Sequence, residues 1–94
     1  MNRKQHMVQI AGEQTGIVKW YEQAKLYGFI VPDNKDLIMD EQKPDIFFHV
    51  RQLADGVNGV DCGQRVVFDV VINPGRGLMA VNVRLCEVTF MERR

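Results

Sequence analysis

The sequence predicts an all-β fold, a small antiparallel barrel of five strands, and three observations carry that expectation. Short runs rich in β-branched and aromatic residues recur along the chain, separated by proline, glycine, asparagine and aspartate turn signals. Apolar residues alternate at the two-residue period of a strand through Val66, Phe68 and Val70, and again through Met79, Val81, Val83 and Leu85. No stretch shows the spacing of an amphipathic helix. A chain of 94 residues makes one domain, enough to bury roughly 60 to 65% of its unfolded surface but not to build two cores.

The first strand is expected from Thr15 to Tyr21, where β-branched and aromatic side chains cluster; residues before it, 1–14, read as a partly disordered extension in which Met7 to Ile10 can add a short strand. Glu22, Gln23 and Ala24 turn the chain. Lys25 to Val31 forms the second strand, closed by Pro32-Asp33-Asn34, because proline donates nothing to a ladder and Asp-Asn favours a turn. Asp33 to Pro44 is a polar loop holding Leu37, Ile38 and Met39 in a short helical turn. Its carboxylates, Asp33, Asp36, Asp40 and Glu41, lack the glycine and spacing of a calcium loop. Asp45 to Val50 is the third strand, and Arg51 to Gly63 is a long glycine-containing connection. The fourth and fifth strands are joined through Asn73-Pro74-Gly75-Arg76-Gly77, a strong turn signal. Residues 86–94 form a second extension, alternating through Cys86, Val88 and Phe90.

The pleat divides these strands into two faces. Val18, Ile30, Ile46, Phe48, Val66, Phe68, Val70, Val81 and Val83 fill the barrel as its inward row. That choice turns Tyr27 and Phe29 outward on the second strand, and Phe47 and His49 outward on the third. Burying those rings instead would expose Ile30, Ile46 and Phe48. Aromatic rings paired on an open strand face suit unpaired nucleobases, which offer flat π surfaces to stack on.

Charge is balanced, with 12 basic against 12 acidic residues, which argues against indiscriminate attraction to phosphate and leaves open a binder that gains its affinity from stacking and carries a local basic rim. Cys62 and Cys86 stand far apart and, with His6 and His49, show no zinc-ligand spacing; they are expected as free, buried or partly buried thiols, with no metal and no cofactor. There is no nucleophile with a base in a recognisable motif and no phosphate-cradling glycine loop, so no catalytic residue is assigned and no enzyme activity is expected. Met7 to Ala11 is too short for the apolar region of a signal peptide and no run approaches a membrane span, which gives a cytoplasmic expectation without membrane partners.

Five segments in order, Thr15-Gly16-Ile17-Val18-Lys19-Trp20-Tyr21, Lys25-Leu26-Tyr27-Gly28-Phe29-Ile30, Asp45-Ile46-Phe47-Phe48-His49, Gly63-Gln64-Arg65-Val66-Val67-Phe68 and Ala80-Val81-Asn82-Val83, resemble the bacterial cold-shock domain family. The resemblance covers Thr15 to Leu85. It implies an OB-type barrel over 15–85 that binds single-stranded RNA or DNA and acts as a nucleic-acid chaperone or a regulator of transcripts. It also implies site residues: Lys19 and Trp20 on the first strand, Lys25, Tyr27 and Phe29 on the second, Phe47 and His49 on the third; apart from the resemblance, Arg51 and Arg76 are read as candidates for the rim of the groove.

This chain departs from the family pattern at identifiable points. Leu26 stands where glycine is usual, so the turn before the second strand needs a different backbone or a bulkier surface. Val50 replaces a phenylalanine, and Arg51 to Gly63 carries no aromatic residue, so two stacking positions are lost and weaker or narrower binding is expected. Tyr21 and Tyr27 keep a ring where phenylalanine is usual. The Asp33 to Pro44 loop is several residues longer than the family's. The alternative to nucleic-acid binding is a diverged barrel serving protein interaction or self-association, as a homodimer paired through Met7 to Ile10 and Cys86 to Phe90. The Lys25 to Ile30 string also resembles one RRM motif, but an RRM requires a helical crossover that this chain lacks.

Overall fold

In a computed structural model of the chain, which describes residues 8–75 and 77–86, five strands close into a barrel in the order β1-β2-β3-β5-β4. β1 spans Val8–Glu22, β2 Tyr27–Pro32, β3 Ile46–His49, β4 Arg65–Asn73 and β5 Gly77–Leu85. The four pairings β1–β2, β1–β4, β2–β3 and β4–β5 are antiparallel. The closing pair is parallel, with Phe47 of β3 in register with Met79 of β5.

β1 begins well before Thr15. Val8 and Gln9 pair with Ile72 and Val71, and Gln14 with Phe68, so residues 8–14 extend the sheet along β4 instead of forming a disordered arm. The strand is long enough to serve two neighbours because it bends at bulges, where the register shifts between Gln9 and Ala11, between Ala11 and Gln14, and again between Val18 and Trp20. Glu13 takes a left-handed φ of 50° within the second of these, and its amide donates to Asp69 Oδ1 at 2.9 Å. Met7, the extension 87–94 and Arg76 lie outside the described residues, and with them most of the expected terminal pairing.

The core contains Val18, Ile30, Ile46, Phe48, Val66, Phe68, Val70 and Val83, as the alternation predicts, with Phe48 and Phe68 fully enclosed. Val81 is corrected: it lies partly exposed, and Ala80 points inward in its place. An extra residue in β5 shifts its register against β4 between the pairs Val67–Arg84 and Asp69–Val81, and Asn82 adopts a left-handed φ of 52° there. The inserted residue reverses the side-chain phase, so Ala80 and Val83 both face the core. Asparagine tolerates that conformation better than most side chains.

Two loops add to the core. Leu37 comes from the short 3-10 turn Lys35–Leu37, where Asn34 Oδ1 accepts from the Asp36 amide at 3.0 Å, and Val60 comes from the connection after β3. Leu53 and Val57 pack against the same cluster, which makes the aromatic-free connection an aliphatic cover for one end of the barrel. Both cysteines are free. Cys62 is exposed, contrary to expectation, and its thiol donates to the Lys19 carbonyl at 3.0 Å.

Candidate nucleic-acid interface

The bulge in β1 decides what the outer face presents. Val18 pairs with Ile30, and the next pair is Trp20 with Phe29, so Lys19 is the unpaired extra residue. Adjacent strand residues normally point to opposite faces; here Val18 is buried while Lys19 and Trp20 both lie outward. Trp20 thereby joins Tyr27 and Phe29, whose outward direction the pleat had already set. Phe47 completes the group across the β2–β3 pair, opposite Phe29.

Trp20, Tyr27, Phe29 and Phe47 are all partly exposed and touch one another. Ring centroids lie 5.3 Å apart for Trp20–Tyr27, 5.8 Å for Tyr27–Phe29, 5.7 Å for Tyr27–Phe47 and 6.0 Å for Phe29–Phe47. These spacings fall in the range of favourable aromatic pairs, which hold the rings in place without any ligand. Tyr21, by contrast, turns inward and stacks on Phe48 with centroids 5.8 Å apart and planes 5° from parallel.

His49 sits opposite Tyr27 in the ladder, and its Nδ1 accepts the Arg51 amide at 3.1 Å. That bond holds the imidazole against the short 3-10 turn Val50–Gln52. Beside Phe47 and His49 the surface dips into a concavity of about 360 Å³ that includes Leu78 and Met79 of β5. These two residues were missed in the sequence because the parallel β3–β5 contact leaves no local signal.

The basic residues are distributed unevenly. Lys25 is exposed, on the 3-10 turn Gln23–Lys25 and not on the second strand as expected, because the Leu26 amide turns back to the carbonyls of Glu22 and Gln23, both at 3.0 Å. Lys19 is engaged: its Nζ lies 3.0 Å from Asp45 Oδ2, with the lysine about half exposed and the carboxylate largely covered. Arg51 is exposed on the turn after β3. Leu26 takes a left-handed backbone, with φ 71° and ψ 19°, a conformation that favours glycine, and presents a bulkier, half-exposed surface there. Its carbonyl accepts the Val50 amide at 2.8 Å, tying the two departures from the family pattern together.

Away from the rings, Asp33 joins three elements. The Thr15 hydroxyl donates to its carboxylate at 2.6 Å and Arg65 Nη2 at 2.7 Å, and these two bonds, the hydroxyl's first, hold its pKa below the ordinary 3.8.

A closed five-stranded barrel with contiguous rings on the outer face of three consecutive strands has the architecture of the β-barrels that stack single-stranded nucleic acid. The family model described as the 'Cold-shock' DNA-binding domain matches residues 14–86. The chain is 37% identical over 75 residues to the cold shock-like protein CspA of Shewanella violacea, spanning 79% of this chain and 96% of that protein. It is 35% identical over 77 residues to the major cold shock protein CspA of Pseudomonas aeruginosa, covering 81% and 99%. To the cold shock protein CspC of Bacillus subtilis it is 38% identical over 72 residues, covering 76% and 96%. The chain belongs to the cold-shock domain family, whose members bind single-stranded nucleic acid and are not enzymes.

Proposed function

We propose that this protein binds unpaired RNA or DNA on the face formed by Trp20, Tyr27, Phe29 and Phe47, with His49 at its edge, and acts as a cytoplasmic nucleic-acid chaperone or regulator of transcripts. The observation that carries the reading is that four rings lie in mutual contact on the outside of a barrel whose core is filled without them. Each ring that stacks a base contributes about 1 to 3 kcal/mol, so a few stacks support binding without net positive charge. Lys25 and Arg51, exposed two residues before Tyr27 and two after His49, carry no ion pair among the described residues and can meet phosphates, while Lys19 must exchange Asp45 for a phosphate to take part. With Val50 and an aliphatic connection after β3 in place of two rings, affinity rests on fewer stacks and is lower or narrower than the family's.

The test is a fluorescence titration of Trp20, the single tryptophan, with pyrimidine-rich single-stranded DNA and RNA and with duplex at two salt concentrations. Single strands quench and duplex does not, and Phe47→Ala or Tyr27→Ala lowers affinity roughly tenfold or more with the fold intact. Equal binding by the wild type and the double variant would overturn the reading.

A further inference from the structure

The loop between β2 and β3 does more than connect them. A groove of about 360 Å³ runs beside the rings, with Phe29 and Phe47 on one side, Leu37, Met39 and Lys43 of the loop on the other, and Leu78 of β5. This volume is within the range of sites that enclose small ligands. The loop is held at both ends of the wall it forms. Leu37 is buried in the core cluster, and the Lys43 amide donates to the Asp40 carbonyl at 2.7 Å in a tight turn. Met39 projects between these anchors and is 78% exposed, an unusual position for a large apolar side chain in the absence of a partner.

The charge of the groove is nearly cancelled. Asp45 is paired with Lys19, and the Asp40 carboxylate, whose Oδ1 accepts the Gln42 amide at 2.9 Å, balances Lys43 in the lining. What faces a ligand is a polarizable thioether, an ammonium group with the Asp40 carboxylate in the same lining, and apolar wall. A thioether packs well against a π face, and a lysine beside it neutralises a phosphate. That combination fits one nucleotide.

We propose that this groove is an additional base subsite, taking one nucleotide of the same strand beyond those stacked on the four rings, with Met39 against the base and Lys43 on its phosphate. The inference rests on the ring face being the binding surface, with which the groove is continuous through Phe29 and Phe47. It gives the long loop a role in setting the length of strand the protein reads.

The experiment is a Trp20 titration with single-stranded oligothymidylates of roughly four to ten nucleotides, a span matching the site sizes of such barrels. The wild type is compared with Met39→Ser/Lys43→Ala and with Phe47→Ala. The double variant stops gaining affinity about one nucleotide earlier than the wild type, losing roughly five- to tenfold on long strands and nothing on the shortest. Phe47→Ala loses affinity at every length. Coincident length profiles for the wild type and the double variant overturn the subsite alone, whereas no binding by the wild type at any length overturns the ring face and the subsite together. Lys43→Ala by itself lowers the salt slope by about 0.7, the share of one phosphate contact; an unchanged slope counts against the assigned role of Lys43.

Discussion

Gly28 lies so close to Phe48 that a Cβ atom placed on it would come within 2.8 Å of the ring's Cζ, and within 2.5 Å of the Trp20 carbonyl oxygen. The second neighbour is backbone and cannot swing aside. Gly28→Ala is therefore expected to destabilise the protein by about 3 kcal/mol, at the upper end for overpacking a filled site. Urea unfolding measures it, and a midpoint equal to that of the wild type would show that the sheet yields at no cost. Because the clash pushes on Trp20, the variant also loses single-strand affinity.

Tyr21 stacks on Phe48 with its hydroxyl enclosed, and among the described residues that hydroxyl has no hydrogen-bond partner. Burying an unpaired hydroxyl is unfavourable, so Tyr21→Phe removes a cost and keeps the stack. The expected outcome is a gain of about 1 kcal/mol in denaturant unfolding with unchanged nucleic-acid affinity. A loss of stability would mean that the hydroxyl is satisfied in solution.

Asp45 occupies Lys19, and Asp45→Asn releases it. At low salt the variant should bind single strands about two- to fivefold more tightly, with a salt slope steeper by about 0.7 for one added phosphate contact. Stability changes little, since a pair with a half-exposed lysine contributes modestly. Titrations at several salt concentrations decide it, and parallel slopes for the two proteins would remove Lys19 from the phosphate path.

Asp33, bound by Thr15 and Arg65, has a folded-state pKa below its ordinary 3.8. A depressed carboxylate pKa contributes stability above the unfolded value, and that contribution is lost as pH falls through the folded value. The stability difference between wild type and Asp33→Asn should therefore be constant near neutrality and shrink as pH drops below about 4. The effect is small because the carboxylate is exposed. Acid-unfolding curves that stay parallel through this range would contradict the assignment.

Most of the barrel was legible in the sequence because strand alternation is a local property. The inward positions of Ile30, Ile46 and Phe48 follow from it, and they in turn dictate that Tyr27, Phe29 and Phe47 face outward. Bulges broke the reading where it failed. Counting by twos carries Val81 inward and gives no physical reason for Lys19 and Trp20 to share a side; one extra residue near Asn82 and another at Lys19 reverse the count. Asparagine at position 82 is a weak signal for such a kink, and Lys19 carries none. The concave ground beside Phe47 stayed hidden for a different reason. Leu78 and Met79 reach it through a parallel pairing between strands far apart in the chain, and Leu37 and Met39 reach it from a loop with no periodicity.

That parallel pairing also makes closure of the barrel depend on chain far from the rings. All four rings come from residues 20–47, on three strands that follow one another as a meander, whereas closure requires β4 to find β1 and β5 to find β3. Joining segments distant in sequence costs loop-closure entropy, which slows the folding of such barrels. A chain that ends before β4 would lack Val66, Phe68, Val70, Ala80 and Val83, and the inner side of the aromatic sheet would stand uncovered.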